Sequence, residues 1–195
     1  MIKDIFKIIW LIKEEYLEFI KNFSPLIVLL SLFTVILFQM ERQVMSAGTG
    51  VTHSEMNANA DKPVKFLQIW VLTRKNGVEP RYQQIRIADE AKPNDFQQIV
   101  SPHADDAGVW IHQDAWFSLA KFSDGTAKPY QVKRAGNGVY VFVIKGKAKI
   151  GGIELNERDG LGVWDTDSFE VAAVGEAEIL LMDVPMDVAA ATHQV

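Results

Sequence analysis

The 195-residue chain has no cysteine. Disulfides, zinc–thiolate centres and thiol catalysis are therefore excluded, and the absence suits a reducing cytoplasm, the compartment expected here. Histidine is scarce: His53, His103, His112 and His193 are the whole set, so none precedes His53. Glycine and alanine are missing from the opening stretch, where the first of each is Gly48 and Ala47. A basic excess is lacking too. Up to Gln43 five bases (Lys3, Lys7, Lys13, Lys21, Arg42) balance five acids (Asp4, Glu14, Glu15, Glu18, Glu41), so the net charge of −5 lies in the remainder. An acidic globular part lacks the basic face that neutralises phosphates, which argues against direct nucleic-acid binding. Solenoid-period repeats and low-complexity tracts are absent, and the length allows one large or two small domains.

The segment 1–43 is dense in Ile, Leu, Phe and Lys. Ile2, Ile5, Ile9, Ile12, Tyr16 and Ile20 fall on one helical stripe, opposite Lys3, Lys7, Glu14 and Glu18. Asn22 to Met40 then runs without a charge, and Ser24-Pro25 makes a good helix start, serine capping and proline in the first turn. The run approaches the ~20 residues that cross a bilayer. Three readings stand: a membrane anchor through residues 22–40, a helix packed on a barrel edge, or translation of AT-rich DNA in a wrong frame. A cleavable signal peptide fits poorly, because the apolar run is long and the nearest small-residue site is Ser46-Ala47.

The stretch Met45-Ser-Ala-Gly-Thr-Gly-Val-Thr-His-Ser-Glu55 carries the chemistry. On an extended segment His53 and Glu55, two residues apart, point to one side. Imidazole and carboxylate together suit iron, manganese or nickel. Taken alone, the pair is a weak signal.

Around it the wording is specific. Met45 to Met56 resembles the signature of the pirin family, and Phe66-Leu-Gln-Ile-Trp70, Glu79-Pro-Arg-Tyr82, His112-Gln-Asp114 and Gly160-Leu-Gly-Val-Trp-Asp165 resemble further pirin segments in the family's order. The resemblance runs from about Gln43 to Pro185. It implies an all-β bicupin, two antiparallel barrels with one metal in the first, and a metal-dependent dioxygenase that cleaves flavonols such as quercetin. Animal members act as nuclear transcription cofactors. The family builds its site from an upstream His-x-His and a downstream His-x-Glu. His53 and Glu55 match the downstream pair as metal ligands, and Glu55 would also serve as the catalytic base. The upstream pair has no counterpart here, and neither do its strands. One divalent metal is implied, iron first, with Mn, Ni, Cu, Zn or Co as substitutes, and its occupancy is expected to be poor. The substrate implied is a small flavonol-like aromatic. Two rival readings stand beside this one: a non-catalytic, membrane-anchored or protein-binding module, and a redox-sensing transcription cofactor.

The fold expected is thus an all-β, pirin-like bicupin with an incomplete first barrel and an added N-terminal apolar helical segment. Its divisions are 1–43, a first-barrel remnant at 44–90, a linker at 91–107, a second barrel at 108–185 and a tail at 186–195. Strands are expected at 66–72, 109–111, 115–120, 138–144 and 177–184, with a lysine-alternating hairpin at 145–152. His112 reads either as pocket lining or acid–base group aided by Asp114, or as a partly buried histidine fixing a loop, the reading favoured. His103 and His193 are expected in solvent. Trp70, Trp110, Trp116 and Trp164 are expected in the core, and Asp165 and Asp167 in a turn.

Overall fold

The computed structural model describes residues 6–9, 32–38, 41–52, 61, 65–75, 77–86 and 93–186. The chain divides into two compact units, residues 1–87 with 111–113, and residues 88–110 with 114–195.

The first unit is a five-stranded sheet of β1 (Phe6–Ile9), β2 (Leu32–Phe38), β3 (Glu41–Ser46), β4 (Phe66–Leu72) and β5 (Arg81–Arg86), in the order β1-β4-β2-β3-β5. All its ladders are antiparallel. Strand alternation sets one buried face: Leu67, Ile69 and Val71 of β4 are buried, as are Val44 and Ser46 of β3. Residues 6–9 and 32–38, expected as helix, are strands. An unbroken apolar run does not distinguish a buried helix from a doubly covered strand. Phe33, Thr34, Val35 and Ile36 favour the pleated form, and β2 pairs along its length with both β3 and β4. Apart from residues 41–43, which open β3, the rest of the N-terminal segment lies outside the described residues, including most of the expected anchor. Among the described residues no helix is long and apolar enough to cross a membrane.

The second unit is an eight-stranded sheet. Its main path is β11 (Ile153–Leu155), β10 (Asn137–Ile150), β13 (Ser168–Pro185), β8 (Trp116–Phe122), β6 (Phe96–Ser101) and β7 (Val109–Trp110). β12 (Gly160–Val163) adds to β10, and β9 (Ala127–Gln131) to β13. β10 and β13 form its spine, with Val139, Val141 and Val143 opposite Asp183, Leu181 and Ile179. All three valines, Leu181 and Ile179 are fully buried, and they share a core with Phe122, Tyr130 and Ile150. Rings close one end of it: Phe96 lies 5.4 Å from Phe122 and 5.3 Å from Tyr130 in an edge contact. At the register break in β10, Gly146 has φ +80, and a Cβ there would stand 2.0 Å from the Glu176 carbonyl oxygen, so the bulge needs glycine.

Three sequence expectations differ here. Phe96–Ser101, inside the stretch read as linker, is a strand on β8, with Ile99 and Val100 fully buried. The polar Gln97 and Gln98 concealed it. Trp164, expected in the core, is half exposed, because β12 ends at Val163 and the chain turns there with Asp165 at φ +57. Trp70, Trp110 and Trp116 are partly rather than fully buried. The lysine hairpin does form, turning at Gly151-Gly152 between β10 and β11.

Candidate functional site

The candidate site grows from the buried face of the first unit. β3 places Val44 and Ser46 on that face and then turns through Ala47–Gly50, where the Gly50 N–H donates to the Ala47 carbonyl at 2.7 Å. Gly48 holds φ +52, and a Cβ on it would meet the Val78 carbonyl oxygen at 2.1 Å. Only glycine lets this turn lie against the 78–80 stretch. The segment that follows carries His53 and Glu55. Both lie outside the described residues, as does His193.

The ladders place polar groups beside the turn. Ser46 is opposite Arg81, and Val44 opposite Gln83. The Arg81 Nη1–H donates to Gln83 Oε1 at 3.2 Å, and burial pulls the Arg81 guanidinium below its usual pKa. Thr73, two residues beyond Val71, is 4 % exposed. Ser46 Oγ, Thr73 Oγ1 and Trp70 Nε1 are buried with no hydrogen-bond partner among the described residues. Sequence reading passed over Ser46, Thr73 and Arg81. The signal that finds them is strand alternation combined with the β3–β5 register, and no motif carries that register.

His112 belongs to this unit. Its carbonyl accepts the Arg74 N–H at 2.9 Å, and the neighbouring Gln113 Nε2–H donates to the Leu72 carbonyl at 2.8 Å. The segment 111–113 is thereby fastened to the end of β4, which agrees with the structural reading. Burial, then the positive charges of Arg81, Arg74 and Lys75, hold the imidazole below its ordinary value. Asp114, offered from sequence as its acid–base aid, has its carboxylate in an ion pair with Arg134. His103 is exposed, with its ring 6.4 Å from that of Trp116.

The donor chemistry can be tested against a metal. Among the described residues no group of three or more His, Cys, Asp or Glu side chains could hold an ion. His112, with three cationic neighbours, is a poor ligand for a further cation. The described residues on their own therefore do not form a complete centre.

Two family profiles match the chain: the quercetinase C-terminal cupin domain over residues 98–184, and pirin over residues 37–71. Quercetin 2,3-dioxygenase of Escherichia coli (strain K12) is 35 % identical over 146 residues, 74 % of this chain and 61 % of the relative. A putative quercetin 2,3-dioxygenase of Pasteurella multocida is 32 % identical over 149 residues, again 74 % of this chain and 61 % of the relative. The chain thus spans 61 % of the length of these curated relatives. Among solved structures, bacterial pirin YhhW from Escherichia coli in complex with nickel(II) has TM-score 0.74 and 29 % identity, covering 81 % of this chain and 74 % of that one. A second YhhW structure has TM-score 0.69 and 32 % identity, covering 81 % of this chain and 69 % of that one. With the all-β cupin architecture of its described residues, this chain belongs to the pirin family.

Proposed function

We propose that this chain carries part of a pirin-type flavonol-cleaving site and that its catalytic capacity is impaired. In the family reading a divalent metal supplies Lewis acidity toward the flavonol oxygens. His53 and Glu55 are the ligands this chain offers, and Glu55 is the group able to take the substrate's hydroxyl proton. The observation that carries the proposal is the donor inventory: no histidine precedes His53, and the described residues add no cluster. With two fixed protein ligands a metal is bound weakly, because affinity depends on a full set of deprotonated donors. The names of the curated relatives, together with the nickel bound to a bacterial pirin, support the substrate class and the need for a metal.

The test combines metal content with turnover. The purified chain is loaded with Fe(II) or Ni(II), passed through a desalting column, and assayed for quercetin consumption under dioxygen. Metal well below one per chain and consumption near the background rate are expected. Stoichiometric metal surviving the column, with quercetin cleavage that disappears in His53→Ala, would overturn the reading of an incomplete site.

A further inference from the structure

The second unit contains a hollow of about 370 Å³ between Val132 with residues 134–137 and the turn 164–167, with Met186 on its wall. That volume falls in the range of small-molecule sites. One wall is fixed from beneath. The fully buried Asp183 carboxylate accepts hydrogen bonds from the Lys133 N–H at 2.7 Å and from Asn137 Nδ2 at 2.6 Å. Asn137 is 5 % exposed and also reaches the Asp114 carbonyl at 3.3 Å. The opposite wall is tied by the Val132 N–H to the Asp167 carbonyl at 2.9 Å, and Met186 is tied by its N–H to the Gly136 carbonyl at 3.3 Å. The hollow is a preformed feature rather than a gap between loose loops.

The lining groups with unused capacity decide what it would take. Asn137 spends its amide hydrogens on Asp183 and Asp114. The Thr166 hydroxyl donates to the Ser168 carbonyl and accepts from its N–H. The Arg134 charge is matched by Asp114. What is left over is the half-exposed indole of Trp164 and the carboxylates of Asp165 and Asp167, which have no side-chain partner among the described residues. An anion finds no uncompensated cation among the lining side chains. An indole face beside two carboxylates attracts an organic cation, since tryptophan is the strongest of the cation–π rings.

We propose that this hollow is a binding site for a small organic ammonium ion, held on the Trp164 face and neutralised by Asp165 and Asp167. The site is independent of the metal chemistry of the first unit, and it accounts for a large aromatic side chain kept half in solvent at the end of β12.

The full chain has five tryptophans and so five indole N–H resonances, of which Trp164→Phe identifies one. The uniformly ¹⁵N-labelled protein is titrated with tetramethylammonium chloride, with sodium chloride at matched ionic strength, and with methyl glucoside as a neutral ring. The expected result is a saturable shift of the Trp164 indole with tetramethylammonium alone, at affinities on the order of millimolar. Asp167→Asn and Asp165→Asn should each weaken it about tenfold, the equivalent of about 1.4 kcal/mol. The four remaining indole resonances of Trp164→Phe report whether that variant is folded. No saturable shift, an equal response to sodium, saturable glucoside binding, or full affinity in both asparagine variants would each overturn the proposal.

Discussion

Replacing Asp183 by alanine should destabilise the second unit more than any surface change. Asp183 lies opposite Val139 on the β10–β13 ladder, facing the core, and is fully buried. Its carboxylate accepts from the Lys133 N–H, from Asn137 Nδ2 and, at 3.4 Å, from the Tyr130 hydroxyl. Alanine removes the acceptor of all three bonds. Asn137 and Tyr130 are 5 % and 2 % exposed, so water replaces the acceptor poorly there, whereas the Lys133 N–H lies nearer solvent. Two orphaned donors cost about 1–3 kcal/mol each, with the long Tyr130 bond at the low end. Against this, the carboxylate's own desolvation is relieved, so a net loss of about 2–3 kcal/mol is expected. That corresponds to roughly 10–20 °C in Tm for a unit near this size. Asp183→Asn keeps the shape and one acceptor and should lose about half as much. Burial, opposed by the Lys133 N–H, Asn137 and Tyr130 bonds and by the Lys133 charge, lifts the Asp183 carboxyl above its usual pKa of 3.8. The native state then holds a proton that the unfolded chain releases. Stability from this group is complete below about pH 3.8 and declines as pH rises through the lifted value. The parent's advantage over Asp183→Asn should therefore be largest in acid and smallest at neutral pH. Guanidinium unfolding across pH, with hydrogen exchange of the Lys133 amide as the local reporter, measures both effects. An alanine variant within about 0.5 kcal/mol of the parent, with Lys133 exchange unchanged, would refute the reasoning.

Three further outcomes are expected. His112 should titrate below 6.5 by NMR, because burial and then Arg81, Arg74 and Lys75 oppose its charge. The unfolded chain takes up the proton first, so stability present above pH 6.5 is lost as pH falls through the native value, and His112→Gln should flatten that slope. Gly48→Ala should cost about 1–3 kcal/mol, since φ +52 and a 2.1 Å approach to backbone leave no room for a methyl, and thermal unfolding checks this. Ser46→Ala, which deletes a buried hydroxyl lacking a partner, should be neutral or stabilising by up to about 1 kcal/mol in chemical denaturation; a loss of more than that would mean the hydroxyl is satisfied in solution.

Much of the strand layout was legible because period-2 patterns survive where one face is wet or punctuation is clear. Phe66–Leu72 forms with the expected bounds, and 177–184 lies within β13. Legibility failed where side-chain chemistry and backbone role part company. Leu32–Phe38 is apolar at almost every position, which fits a buried helix and a central strand alike. Phe96–Ser101 opens with Gln97 and Gln98, and it becomes a strand only because Ile99 and Val100 have a buried place against β8. For the site, the family could be read from the wording around His53 and Glu55, while the placement of those two residues lies outside the described residues. The Asp183 network could not, since it joins β9, the 132–137 loop and the far end of β13. Neither could the hollow, whose walls are some thirty residues apart in sequence and joined by a single backbone bond from Val132 to Asp167.

Buried polar groups without partners are concentrated in the first unit, with Gln97 Oε1 the exception among the described residues of the second. The buried Asp183 carboxylate of the second unit, by contrast, is met by three donors. Folded proteins satisfy most buried side-chain polar atoms, so exceptions call for a physical account. In the first unit Ser46 Oγ, Thr73 Oγ1 and Trp70 Nε1 are buried without partners, and Ser46 is opposite Arg81 at the end of the sheet from which the chain passes on to His53 and Glu55. A face selected only for stability would carry valine or alanine at Ser46 and Thr73, because exchanging an unsatisfied hydroxyl for an apolar group of similar size costs nothing. A dry hydroxyl at Ser46, opposite the guanidinium-bearing Arg81 at this end of the sheet, fits the proposed binding site better than the needs of the core alone.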